Sequence, residues 1–186
     1  GNTDPKIVKQ SIVRLTLHEV GHTLGLNHNF KASHLHDPVS VHDPLITQKS
    51  GVTASVMEYP AVNIAPLGVN QGDYYDVVTG AYDNWAIEFG YRPNLSEQER
   101  NQILFRSDEP ELIFGNDADD MRSPGRGIDP RAMTNDLTND PITYAVQRIE
   151  LVNQTFKELP TKLEAKSWEE FVNAYQTLIR ESGRSL

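Results

Sequence analysis

The run His18-Glu19-Val20-Gly21-His22-Thr23-Leu24-Gly25-Leu26-Asn27-His28 decides how this chain is read. At 100° per residue, His18 and His22 lie about 40° apart on one helix face, one turn above the other, so both imidazoles reach a single ion. Val13, Leu17, Val20 and Leu24 gather on the opposite side, a 3.6-residue stripe expected to pack on a core. Gly25 takes a positive φ without steric penalty, so the helix ends there and the chain turns. The turn lets His28 approach the same ion from a third direction. Three neutral nitrogens leave one tetrahedral position open, the arrangement of a catalytic zinc site and not of a closed structural one. Glu19 falls beside the ion instead of on it, where a general base belongs.

Composition narrows the chemistry further. The 186 residues carry 26 acidic and 17 basic side chains, a formal net charge of −9. That balance argues against nucleic acid and against an anionic membrane surface as partners. No stretch approaches the ~18 apolar residues of a membrane span. There is no Cys, so disulfides, thiolate ligands and thiol nucleophiles are excluded, and six His make metal chemistry the first candidate.

The spacing of caps and breakers predicts a mainly α chain with long irregular loops. Asp4-Pro5 is an N-cap followed by Pro at the first helical position, so the site helix runs from Pro5 to Leu24. Nothing precedes it but Gly1-Asn2-Thr3, and from this abrupt start the chain is expected to be a piece of a longer protein. Lys31 to Ala54 reads as loop, and Met57 to Gly72 as Pro- and Gly-rich turns. A second helix is expected over Asp73 to Phe89, stopping at Gly90. Ser96 and Glu99 form a capping box for a short helix to Phe105. A short strand is expected at Glu111–Phe114 within an acidic, broken stretch from Ser107 to Asp140. Helices follow over Ile142 to Leu159, ended by Pro160, and over Ser167 to Glu181, with Gly183 as a stop.

The His18–His28 run matches the H-E-x-x-H-x-x-G-x-x-H signature of the metzincin metallopeptidases. Ser55-Val56-Met57-Glu58-Tyr59 looks like the Met-containing turn that those enzymes carry beneath the metal. Its S-x-M-x-Y form is similar to the astacins and serralysins, and by that likeness Tyr59 is a movable metal ligand and oxyanion donor, with Met57 as the floor. The flanks His22–Ser33, Ser55–Tyr59 and Gly80–Tyr91 resemble a bacterial family of large, usually exported, zinc-dependent metzincin-like proteins. The resemblance implies that residues 1–92 are the lower half of a metzincin catalytic domain and that 93–186 are a helical, irregular extension. It also implies that the upper sheet lies in a missing amino-terminal part of the parent chain. Ile7, Val8 and Ile12 are then expected to be exposed, or covered by another copy.

The expected activity is zinc-dependent hydrolysis of peptide bonds in a peptide or protein substrate, with Glu19 as general base and acid. This piece of the chain alone is expected to be weakly active or inactive without the upper sheet. The alternative is a non-catalytic module that keeps a metzincin scaffold to bind protein or glycan. A closed structural zinc domain is disfavoured by the open ligand set. His34, His36 and His42 are weak candidates for a second metal site and read better as exposed loop residues. Asn116-Asp117-Ala118-Asp119-Asp120 resembles a calcium loop but lacks the Gly and distal Glu of an EF-hand, so a solvated acidic turn is favoured.

Overall fold

Asp4 accepts a hydrogen bond from Lys6 N (2.8 Å), and Pro5 opens helix α1, Pro5–Thr23. The computed structural model describes residues 4–122, 127, 129–162 and 167–184. After α1 come α2 (Pro44–Ser50), α3 (Ala81–Tyr91), α4 (Glu97–Phe105), α5 (Pro141–Lys162) and α6 (Trp168–Arg184), with short 3-10 turns between them. The described residues include no strand. None of their helices is long and apolar enough to cross a membrane.

Helix α1 docks through polar side chains, not through the apolar stripe that the sequence suggests. Its buried residues are Gln10, His18 and Gly21, whereas Val20 and Leu24 are exposed. Lys6, Gln10, Arg14 and His18 recur every fourth residue, and each bonds the chain between Val56 and Tyr74. Lys6 Nζ donates to Gly72 O (2.8 Å), and Gln10 Nε2 donates to Asp73 Oδ1 (2.6 Å) while its Oε1 accepts from Tyr74 N (2.7 Å). Arg14 donates to Glu58 O, and His18 Nδ1 bonds Val56 O at 2.7 Å. The outward face carries Val8 and Ile12, exposed as expected, and Leu15; Ile7 is half-buried.

Three further expectations are corrected, two of them by the same kind of long-range bond. The second helix begins at Ala81 and not at Asp73, because residues 73–80 hold buried carboxylates against neighbouring loops. Asp73 Oδ2 accepts from Thr47 Oγ1 (2.8 Å), and Asp76 takes Val52 N (2.7 Å), Thr53 N (2.9 Å) and Thr53 Oγ1 (2.9 Å). The stretch read as loop before Ala54 contains α2, capped by Asp43 on Leu45 N (2.8 Å) with Pro44 at its start. In place of a strand at Glu111–Phe114 there is a 3-10 turn, Pro110–Leu112, followed by backbone bonded to Asn29 and Phe30. Three predicted stops also fail, the first being Gly90, which α3 passes before ending at Tyr91. Pro160 sits in the last turn of α5, where only the Phe156 carbonyl loses its donor, and α6 continues through Gly183. The capping box at Ser96 and Glu99 is present as predicted.

The second half of the chain is tied back onto the first. Asn135 N donates to Tyr59 O (2.8 Å), Ala61 N to Asp136 O (3.1 Å) and Thr138 N to Ser33 O (3.0 Å). Leu137 and Tyr144 complete one apolar cluster with Val41, Val52 and Ala61. Beside it, Asp136 Oδ2 accepts from Ser33 Oγ (3.0 Å) while Oδ1 is buried without a hydrogen-bond partner among the described residues. Burial raises the Asp136 carboxyl to about 6. It raises neighbouring Glu58 as well, with the Asp136 charge adding to the effect.

A carboxyl raised in the folded state binds more protons there than when unfolded, so its contribution to stability is lost as pH rises from about 4 through about 6. Asp136→Asn removes that titration. Relative to wild type, the variant should gain about 1–3 kcal/mol between pH 4 and pH 8 in urea denaturation. A constant difference across that range contradicts the assignment.

Candidate metal centre

The centre is built from the C-terminal end of α1 outward. Gly25 has φ +86°, and the helix closes in a Schellman motif: Leu26 N donates to Gly21 O (3.0 Å) and Gly25 N to His22 O (3.0 Å). The turned chain presents Leu26 O to His22 Nδ1 at 3.0 Å, so the motif that ends the helix also orients the second imidazole. Two residues past it lies His28, whose ring centroid is 5.4 Å from that of His18 and 4.9 Å from that of His22. The His18–His22 separation is 4.7 Å, with the rings nearly perpendicular. The structure thus brings all three predicted histidines together, with one ligand nitrogen from each within 4.8 Å of the other two.

The hydrogen bonds fix which nitrogen each ring offers. Carbonyl and carboxylate oxygens only accept, so Nδ1 of each ring carries the proton. His18 uses Val56 O, His22 uses Leu26 O, and His28 uses the Asp117 carboxylate at 3.0 Å. Each Nε2 therefore keeps a free lone pair. Among the described residues His18 Nε2 and His28 Nε2 are buried with no hydrogen-bond partner, which leaves two acceptors in want of a positive centre. Burial holds the basicity of His18 below the ordinary value, partly offset by the Val56 carbonyl, while Arg14 and the other two rings oppose protonation. Three neutral imidazole nitrogens converging in this way fit a zinc ion.

Beneath the rings runs the turn Ser55–Tyr59, positioned by the start of α3. Asp83 is buried and accepts from Ser55 Oγ (2.5 Å), Val56 N (2.9 Å) and Gly80 N (2.8 Å). Met57 is fully buried, and a Cβ built on Gly21 would come within 2.3 Å of its sulfur. Gly21 lies between His18 and His22, so the thioether occupies the space that a glycine leaves under the first two rings. Tyr59 stacks on His18 at 5.1 Å and tilts over His28 at 4.7 Å. The residue is 40% exposed, while its backbone is held by Asn135 N and by its own N–H on Glu58 Oε1 (2.8 Å). Phe30, fully buried, stacks on His28 at 5.2 Å and lies 5.7 Å from the Tyr59 ring. Glu19 is exposed and has no hydrogen-bond or ion-pair partner among the described residues.

The other histidines do not assemble. His36 Nε2 bonds Gly51 O (2.9 Å) and His34 faces Asp136 at 3.9 Å, and none of the three is exposed as the loop composition suggests: His36 and His42 are buried and His34 is half-buried. Among the described residues the acidic run Asn116–Asp120 forms no metal group of its own. Sequence reasoning missed Asp83, Val56 and Asp117, whose roles rest on contacts across long stretches of chain. The four-residue polar spacing of Lys6, Gln10, Arg14 and His18 was a local signal for the docking face.

The sequence profile of the Met-zincin family matches residues 1–186, so the chain belongs to that family. No curated protein and no solved structure matches it.

Met57→Leu conserves volume and should keep zinc binding, at a cost below about 1.5 kcal/mol in stability. Isothermal titration with zinc checks this. Loss of metal with the fold intact would show that the sulfur is a ligand and not a floor.

Proposed function

We propose that this Met-zincin chain carries the catalytic centre of a zinc metallopeptidase. The observation that carries the reading is the convergence of three imidazoles whose Nδ1 atoms are all committed to acceptors, with Glu19, next in sequence to His18, exposed and without a partner among the described residues. His18, His22 and His28 would hold the ion through Nε2. Zinc bound there supplies Lewis acidity, lowering the pKa of water toward about 7 and polarising a carbonyl.

The protein's own groups do the rest. Glu19 takes a proton on a carboxylate oxygen as water attacks the scissile carbon, then delivers it to the amide nitrogen as the C–N bond breaks. The products are a carboxylate and an amine, and no protein nucleophile is consumed. The Tyr59 hydroxyl, on an exposed residue whose ring stacks on His18 and tilts over His28, donates to the carbonyl oxygen as charge builds on it. An open cleft of about 490 Å³ runs beside Tyr59, with Arg14, Tyr75, Thr134 and Asn135 in its walls, and offers room for a peptide. The Nδ1 bonds keep the rings from swinging away as charge develops, so the donors need no rearrangement during the reaction.

Glu19→Gln keeps shape and should keep zinc, while kcat/KM on an unfolded protein substrate falls by about 10²–10⁴. Tyr59→Phe should lower kcat by about 10²–10³ with less effect on KM. Hydrolysis by Glu19→Gln at the wild-type rate contradicts the mechanism. Zinc binding without hydrolysis in the wild type would favour the non-catalytic module.

A further inference from the structure

Asp117 lies in the acidic run that resembles a calcium loop, and its carboxylate straddles His28 Nδ1, at 3.1 Å from Oδ1 and 3.0 Å from Oδ2. The two residues are 89 positions apart in sequence, yet the backbone around Asp117 is locked to the residues that follow His28. Asn29, fully buried, donates from Nδ2 to Ile113 O (3.0 Å) and accepts at Oδ1 from Gly115 N (3.2 Å). Phe30 N donates to Gly115 O (2.7 Å). From that anchor the chain folds into a self-bonded turn: Asn116 N donates to Asp119 Oδ2 (3.0 Å), Ala118 N to Asn116 Oδ1 (2.8 Å) and Asp119 N to Asn116 O (2.9 Å). Asp117 projects from this turn onto the third imidazole.

We propose that Asp117 is a positioning residue of the metal centre, which orients His28 and fixes the tautomer that leaves Nε2 for the ion; this rests on the reading of the three histidines as that centre. The need for it is local. His18 and His22 belong to α1, whose backbone ladder holds them, and each spends its Nδ1 proton on a neutral carbonyl. His28 lies beyond the helix, in a segment without such a ladder, and has a full charge as its acceptor. A carboxylate behind a ligating imidazole both aims the ring and makes it a stronger donor, and losing one typically weakens metal affinity about 10–100-fold. The Asp117 side chain is 68% exposed, so as a plain surface pair with His28 it contributes little to the fold. Its effect belongs to metal binding.

The test measures zinc affinity by competition with a chromophoric chelator, together with the Tm of the metal-free protein. Asp117→Ala should bind zinc about 10–100-fold more weakly, and Asp117→Asn should lose less because the amide oxygen still accepts. Both variants should keep the metal-free Tm. Asp108→Asn, which removes an exposed charge elsewhere, should leave affinity unchanged. Wild-type affinity in Asp117→Ala overturns the proposal, as does a loss that Asp108→Asn reproduces or that an equal fall in metal-free stability accompanies. His22→Ala reads the centre itself. If it binds zinc like the wild type, the histidine assignment fails; if it loses zinc while Asp117→Ala keeps it, only the role of Asp117 fails.

Discussion

Val56 is the residue through which the site is assembled. Its N–H is held by the buried Asp83 carboxylate at 2.9 Å, and its carbonyl accepts from His18 Nδ1 at 2.7 Å. One residue thus joins the start of α3, the turn under the rings and the first imidazole. Remove the Asp83 end and three buried donors lose their acceptor: Ser55 Oγ, Val56 N and Gly80 N. Each buried donor left unmatched costs about 1–3 kcal/mol, so the turn has one strongly preferred position. Remove the carbonyl end and His18 is free to choose its tautomer.

This polar construction explains why α1 turns its apolar residues outward. Lys6, Gln10, Arg14 and His18 are each satisfied by the chain between Val56 and Tyr74, and the face they form is the buried one. The acidic character of the chain has a related origin. Asp73, Asp76 and Asp83 are buried acceptors that organise loops. For Asp76 and Asp83 burial still outweighs these bonds and raises the carboxyls, Asp76 to about 6. A long irregular stretch between α2 and α3 can therefore hold one conformation without a sheet, because its backbone N–H groups have carboxylates to bond.

What the sequence made legible follows the range of each interaction. The ends of α1, the Gly25 turn and the capping box at Ser96 are set within a few residues, and all appear as read. The three histidines meet because helical spacing and one glycine turn are enough to bring them together. The start of α3 was misread because the pattern after Asp73 looks helical until Asp73 and Asp76 are seen to serve Thr47, Val52 and Thr53. The apolar stripe of α1 misled for the opposite reason: periodicity gives the phase of an apolar face but not what lies against it. Asp117 was visible as part of an acidic run, yet nothing near it in sequence points to His28.

The central claim is that His18, His22 and His28 form one metal centre with all three Nε2 atoms as donors. X-ray absorption at the zinc edge, on the protein loaded with one equivalent of zinc, tests it most directly. The account predicts three imidazole nitrogens at about 2.0–2.1 Å, a light oxygen scatterer completing the shell and no sulfur. Fewer than three imidazoles, or a sulfur in the first shell, would contradict it.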